Sequence, residues 1–186
     1  MNQLFYFLLF LLSHIVNSQR SRGREHTSND YINLSVNRTI DLRNSVISVK
    51  NRILLKSLKV DSIYSYRYAV LKNNSRSLIN IQATLVNSFH EGEDIKLKIS
   101  KQSYVGDENF DFYEINFKNE PINYEEERYI SVVEDYYERL DMLPKKIMLR
   151  EDQLVVFKDT INHVSFYQTN YQLTNIILKK EKTEVM

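Results

Sequence analysis

The amino-acid sequence predicts a mainly β protein: an antiparallel, sandwich-like domain with room for one short helix. Three observations carry this. Apolar and polar residues alternate with a period of two in segment after segment, which puts every second side chain on one face of an extended chain. The segments recur about every 8–12 residues, the rhythm of short strands joined by turns. Composition leans the same way, with Tyr 13 and Phe 9, and with only Gly 3 and Pro 2 to punctuate the chain. Asn, Asp, Ser and Lys must therefore shape most turns.

The elements follow in order. Residues 1–18, MNQLFYFLLFLLSHIVNS, hold an apolar run from Leu4 to Leu12, extended by Ile15 and Val16. That run is too short for a membrane helix of about 20 residues and has the length of a signal-peptide core. Residues 19–30 form a polar leader. Val46–Leu58 is a long apolar run. Tyr64, Tyr66, Tyr68 and Val70 share one face of the next strand. Ile79, Ile81, Ala83 and Leu85 share another, and Ile95, Leu97 and Ile99 alternate with Lys96, Lys98 and Ser100. Tyr113, Ile115 and Phe117 follow the same rule. Arg128–Leu140 fits a helical stripe and a strand alike, and its β-branched and aromatic residues favour the strand. Lys146–Leu149, Leu154–Phe157, Val164–Tyr167 and Leu173–Leu178 complete the apolar segments. The expected core includes Ile79, Ile81, Leu85, Ile95, Leu97, Ile99, Val155 and Phe157. The β domain spans residues 31–180, and 181–186 form a charged tail. No second apolar run approaches 18 residues, so no membrane span is expected in this chain.

Charge and composition exclude several functions. With 25 Lys+Arg against 24 Asp+Glu the net charge is +1, which gives nucleic acid no basic face to bind. The 12 acidic and 3 basic residues between Asp107 and Asp141 read as a solvated acidic surface, without the spacing of an EF-hand. Cys 0 removes disulfides, a thiol nucleophile and thiolate metal sites. His26, His90 and His163 stand apart from one another and from any HExxH pattern, and His163 reads as a satisfied strand histidine. Three glycines cannot build a phosphate loop or a nucleophile elbow. Asp111 and Glu114 would need a shared pocket to act as a glycosidase pair. No catalytic residue, cofactor site or metal site is assigned. Three sequons occur, at Asn33, Asn37 and Asn73; chance at this content of Asn, Ser and Thr yields about two.

Two stretches resemble a known family. Val36-Asn37-Arg38-Thr39-Ile40-Asp41-Leu42, followed by Val46-Ile47-Ser48-Val49 and Ile53-Leu54-Leu55, resembles the opening of ribophorin I, subunit 1 of the endoplasmic-reticulum oligosaccharyltransferase: a V-x-R-T-[IV]-D-L strand and then a long apolar strand. Pro144-Lys145-Lys146-Ile147, Glu151-Asp152-Gln153-Leu154-Val155-Val156-Phe157 and Ser165-Phe166-Tyr167-Gln168-Thr169-Asn170-Tyr171-Gln172 are similar to the family's P-x-x-I, E-x-Q-[FL]-V-V-F and Y-S-P-Y-P-T-x-x-Q run. Phe166 and Gln168 stand where the family has prolines. Order and separation match the family, and the resemblance covers about Ile32 to Leu178.

The resemblance implies a lumenal domain and a non-catalytic role in protein N-glycosylation, supporting transfer of lipid-linked oligosaccharide to Asn of nascent proteins. The implied partners are the other subunits of the complex, including the catalytic one, and nascent polypeptides. The implied location is the endoplasmic reticulum, and the family is membrane-anchored. Its motif residues here would be structural: Arg38, Thr39, Asp41, Leu42, Pro144, Val155, Val156, Phe157, Tyr167, Thr169 and Gln172. Arg38 and Asp41, three apart in a strand, point to opposite faces, so each is expected to tie its strand to a neighbour. The alternatives are a secreted β-sandwich binding module unrelated to glycosylation, and a secreted hydrolase using two of the acidic residues between Asp107 and Asp141.

Overall fold

The computed structural model describes residues 30–86, 94–102, 109–117, 119–143, 154–160 and 162–178. The expected signal segment, nearly all of the polar leader, Pro144 and the charged tail lie outside the described residues. The chain divides into two compact units. The larger takes in Thr27–Glu138 and Thr160–Met186, and the smaller, among the described residues, lies within Arg139–Asp159.

The larger unit is one nine-stranded sheet. Its strands are β1 (Tyr31–Asp41), β2 (Ile47–Ser57), β3 (Ser65–Leu71), β4 (Leu78–Val86), β5 (Ile95–Gln102), β6 (Phe110–Asn116) and β7 (Glu127–Tyr136), with the late strands β10 (Gln168–Thr169) and β11 (Gln172–Ile177). One short helix, α1 (Lys72–Ser75), follows β3. The spatial order is β10-β1-β2-β7-β4-β5-β6-β3, with β11 beside β1 as well. Every pairing is antiparallel except those of β1 with β10 and β11, which are parallel. The ambiguous segment 128–140 thus resolves into strand β7 over most of its length.

Period two governs burial. In β2, Ile47, Val49, Asn51, Ile53, Leu55 and Ser57 are all buried, while the residues between them are half-buried or exposed. Their partners on β7 that face the same way, Ile130, Val132, Glu134 and Tyr136, are buried too. At β5 the sheet turns a corner: Ile95–Leu97 pair with β4, and Lys98–Gln102 pair with β6. The sheet therefore curls until β3, its last strand, lays Tyr66, Tyr68 and Val70 against residues of β1, β2 and β7 in one apolar core. Each buried Val, Leu, Ile or Phe contributes about 1.5–3 kcal/mol. The turn before β7 uses Glu125 at φ 59, in a left-handed conformation more often given to Gly or Asn.

Two β-bulges shift the pattern. In β1 the ladder to β2 slips between Asn33 and Ser35, so Leu34 is the extra residue. Tyr31 and Asn33 point inward before it; Val36, Arg38 and Ile40 point inward after it. In β4 the ladder to β7 slips between Leu78 and Asn80. Ile79, expected in the core, is that extra residue and is 60% exposed. Leu85 and Leu97 are buried as expected, and Ile81, Ile95 and Ile99 are half-buried and pack against the core.

The smaller unit pairs β8 (Leu140–Leu143) with β9 (Leu154–Phe157) in an antiparallel two-stranded sheet, so Val155 and Phe157 belong here. Arg139 closes its base. The guanidinium lies 3.6 Å from Asp159, donates to the Lys158 carbonyl at 2.5 Å and covers the Phe157 ring at 5.1 Å.

Candidate functional site

The feature of the larger unit that alternation alone would not place is a polar cluster inside it. Glu134 on β7 shares the inward face with Val132 and Tyr136, and is 5% exposed. A buried carboxylate is costly unless hydrogen-bonded. Here Tyr68 on β3 donates its hydroxyl to Oε1 and Tyr136 donates to Oε2. Asn51 on β2 donates Nδ2 to Oε1 at 3.2 Å and to the Tyr68 hydroxyl at 2.6 Å. Three strands are thus tied through one side chain.

Arg38 on β1, 5% exposed, lies beside this group. It donates Nη1 to the Asn162 carbonyl at 3.3 Å. His163 follows, its ring 5.2 Å from that of Tyr68. A small cleft is lined by Arg38, Glu134, Tyr136, Thr160, His163 and Val164, among others. Burial, and then the Arg38 charge, pull the His163 pKa down to about 3, so its imidazole is neutral. Burial, and then the Glu134 charge, raise Tyr68 well above its ordinary value, so its proton stays in the bond to Glu134.

A second polar focus sits at the start of β1. Asn33 is fully buried. Its Nδ2 donates to Ser165 Oγ at 2.9 Å and to Thr169 Oγ1 at 3.2 Å, and its Oδ1 accepts the Tyr66 hydroxyl at 3.2 Å. Tyr167 packs edge-on against Tyr31 and lies 4.7 Å from Tyr66. Its hydroxyl accepts the Arg67 backbone N–H at 3.1 Å. Beside it, the Phe166 ring lies tilted 4.6 Å from that of Phe112, under the Arg67 guanidinium.

These contacts bring the first family-like stretch beside the end of the second. Val36–Asp41 runs parallel to Gln172–Ile177 in register, and Ile32 and Asn33 pair with Gln168 and Thr169. Thr169 serves Asn33. Gln172 Oε1 accepts the His163 backbone N–H at 3.1 Å, and the Leu42 N–H donates to the Ile177 carbonyl at 2.9 Å. Thr39 sits opposite Asn175 on the outer side of the ladder. Arg38 and Asp41 do face opposite ways, and Arg38 reaches a neighbouring segment. Asp41 instead pairs with Arg43 two residues on, at 2.9 and 2.5 Å, which holds its carboxyl below the usual range. Val155, Val156 and Phe157 lie in the smaller unit, with Val156 and Phe157 half-buried. Of the sequons, Asn33 is buried while Asn37 and Asn73 are exposed.

The candidate carboxylate pair does not converge. Asp111 and Glu114 are three apart in β6 and project from opposite faces. Asp111 pairs with Lys101 at 2.8 Å, and Glu114 accepts Gln102 at 2.8 Å. Among the described residues, no group of three or more His, Cys, Asp or Glu could hold a metal ion. Most polar atoms of the buried cluster fasten strands, with a protonated Tyr68 phenol, a neutral His163 imidazole and a Glu134 carboxylate bonded on both oxygens; Asn51 Oδ1 is left without a partner among the described residues. The trace of this cluster in the sequence is Glu134 on the apolar parity of ISVVEDYY, a charge where alternation demands a core residue.

The Ribophorin I family model matches residues 31–186. No curated protein matches the chain.

Proposed function

Because the chain belongs to the ribophorin I family, we propose that it is a non-catalytic accessory subunit of the endoplasmic-reticulum oligosaccharyltransferase, supporting transfer of lipid-linked oligosaccharide to Asn of nascent proteins. The observation that carries this reading is the family match across nearly all of the β domain. The structure supports it in one respect. The first family-like stretch lies beside the end of the second, through β1 with β10 and β11. Motif residues fasten this region: Thr169 accepts Asn33, Tyr167 accepts the Arg67 N–H, Gln172 accepts the His163 N–H and Arg38 donates to the Asn162 carbonyl. Such residues hold a scaffold. The catalytic subunit then supplies the chemistry, and this chain contributes surface. Residues 1–18 act as the signal peptide that brings it to the endoplasmic reticulum, where it works within the membrane complex. Among the described residues, no helix is long and apolar enough to cross a membrane.

The test is depletion. Removing the protein from its own cells should leave a fraction of sequons bare on secreted glycoproteins, read by glycopeptide mass spectrometry. Full occupancy after complete depletion would sink the proposal.

A further inference from the structure

We infer that Asn37 carries an asparagine-linked oligosaccharide that shields the exposed apolar side chains of β11, and that Asn33, four residues earlier, is left bare. The inference rests on the lumenal placement proposed above. Two asparagines four apart in a regular strand share a face. The bulge at Leu34 separates them: Asn33 points into the core and Asn37 points out. Asn33 has both of its amide protons and its carbonyl oxygen engaged, by Ser165, Thr169 and Tyr66. A sugar on its Nδ2 would replace one of those protons and bring a bulky hydrophilic group into a closed aromatic cluster. Folding and modification are mutually exclusive there.

Asn37 has the opposite surroundings. It is exposed, with Arg52 on one flank and Leu173 on the other in register. Leu173 and Ile177 project on the same outer face of β11 and are 42% and 36% exposed. An oligosaccharide one strand away covers these apolar side chains.

The attachment is a substitution at the anomeric carbon. The C1–oxygen bond to the diphosphate of the lipid-linked donor breaks and a C1–Nδ2 bond forms. The diphosphate leaves with the electron pair, and the Asn37 amide gives one proton to a base of the transferring enzyme.

The experiment translates the full chain in the presence of microsomes and maps glycopeptides on the protease-protected fraction. Asn73, exposed in α1, is the internal control. The expected result is a glycan on Asn37 and none on Asn33. Asn37→Gln should then lose one glycan in mass and self-associate more strongly in sedimentation than the wild type. A protected chain bare at Asn37, with or without a glycan on Asn73, overturns this inference and leaves the lumenal reading intact; so does a glycan on Asn33, or an Asn37→Gln protein that stays as monomeric as the wild type. A chain that microsomes do not protect overturns the lumenal reading, and this inference with it.

Discussion

Replacing Tyr68 by Phe removes one hydroxyl from the interior and leaves every carbon in place. That hydroxyl donates to Glu134 Oε1 and accepts the Asn51 amide at 2.6 Å. A hydrogen bond to a charged group contributes about 1.5–3 kcal/mol, and a neutral one about 1. Asn51 Nδ2 already reaches Glu134 Oε1 at 3.2 Å and can turn to it fully, which offsets part of the loss. The expected cost is about 2–3 kcal/mol. For a chain of this size each kcal/mol lowers the melting temperature by about 2–4 °C, so the drop should be roughly 5–10 °C. The assay is thermal and urea unfolding of the full chain by circular dichroism, repeated in a Glu134→Leu background. There the phenol has lost its acceptor, so removing it should be close to neutral. Equal losses in both backgrounds, with a coupling under about 0.5 kcal/mol, would refute the claim that Glu134 organises the interior.

His163 gives a pH dependence. The unfolded chain gains a proton near pH 6.5 and the folded chain only near pH 3, so stability is fully present above 6.5 and falls as pH drops through that window. At pH 5 the loss should be at most about 2 kcal/mol, measured by urea unfolding, and His163→Phe should abolish it; Asp41 and Asp111, both lowered, are ionised in either state at that pH. Asn33→Ala removes the amide's bonds to Tyr66, Ser165 and Thr169, should cost about 2–4 kcal/mol, and should speed proteolysis within 162–178. Arg139→Ala should raise hydrogen exchange in Leu140–Leu143 and Leu154–Phe157 and leave β2 and β7 unchanged, since its contacts to Asp159, Lys158 and Phe157 all lie in the smaller unit.

The strands were readable because burial in them obeys a local rule. Ile53, Leu55, Ile130 and Val132 alternate with polar neighbours, and no distant information is needed to see it. The bulges at Leu34 and Ile79 were not readable, since an extra residue leaves composition and alternation looking normal while it reverses the facing of what surrounds it. Asn33 and Asn37 consequently looked alike as sequons and are opposite as side chains. The parallel pairing of β1 with β11 joins residues more than 130 positions apart, and only the family resemblance hinted that both stretches mattered. Glu134 was legible in principle, as a charge on an apolar face. Its partners come from other strands: Asn51 through the pairing of β2 with β7, and Tyr68 only when the sheet curls.

Membership of a glycosylating complex is open to test by co-purification. The full chain, tagged and expressed in its own cells, should be captured from membranes solubilised in mild detergent. The account predicts that the eluate holds the catalytic subunit in near-stoichiometric amount and transfers lipid-linked oligosaccharide to an acceptor peptide. A chain recovered alone, or released to the medium with no transferase activity in the captured fraction, would contradict it.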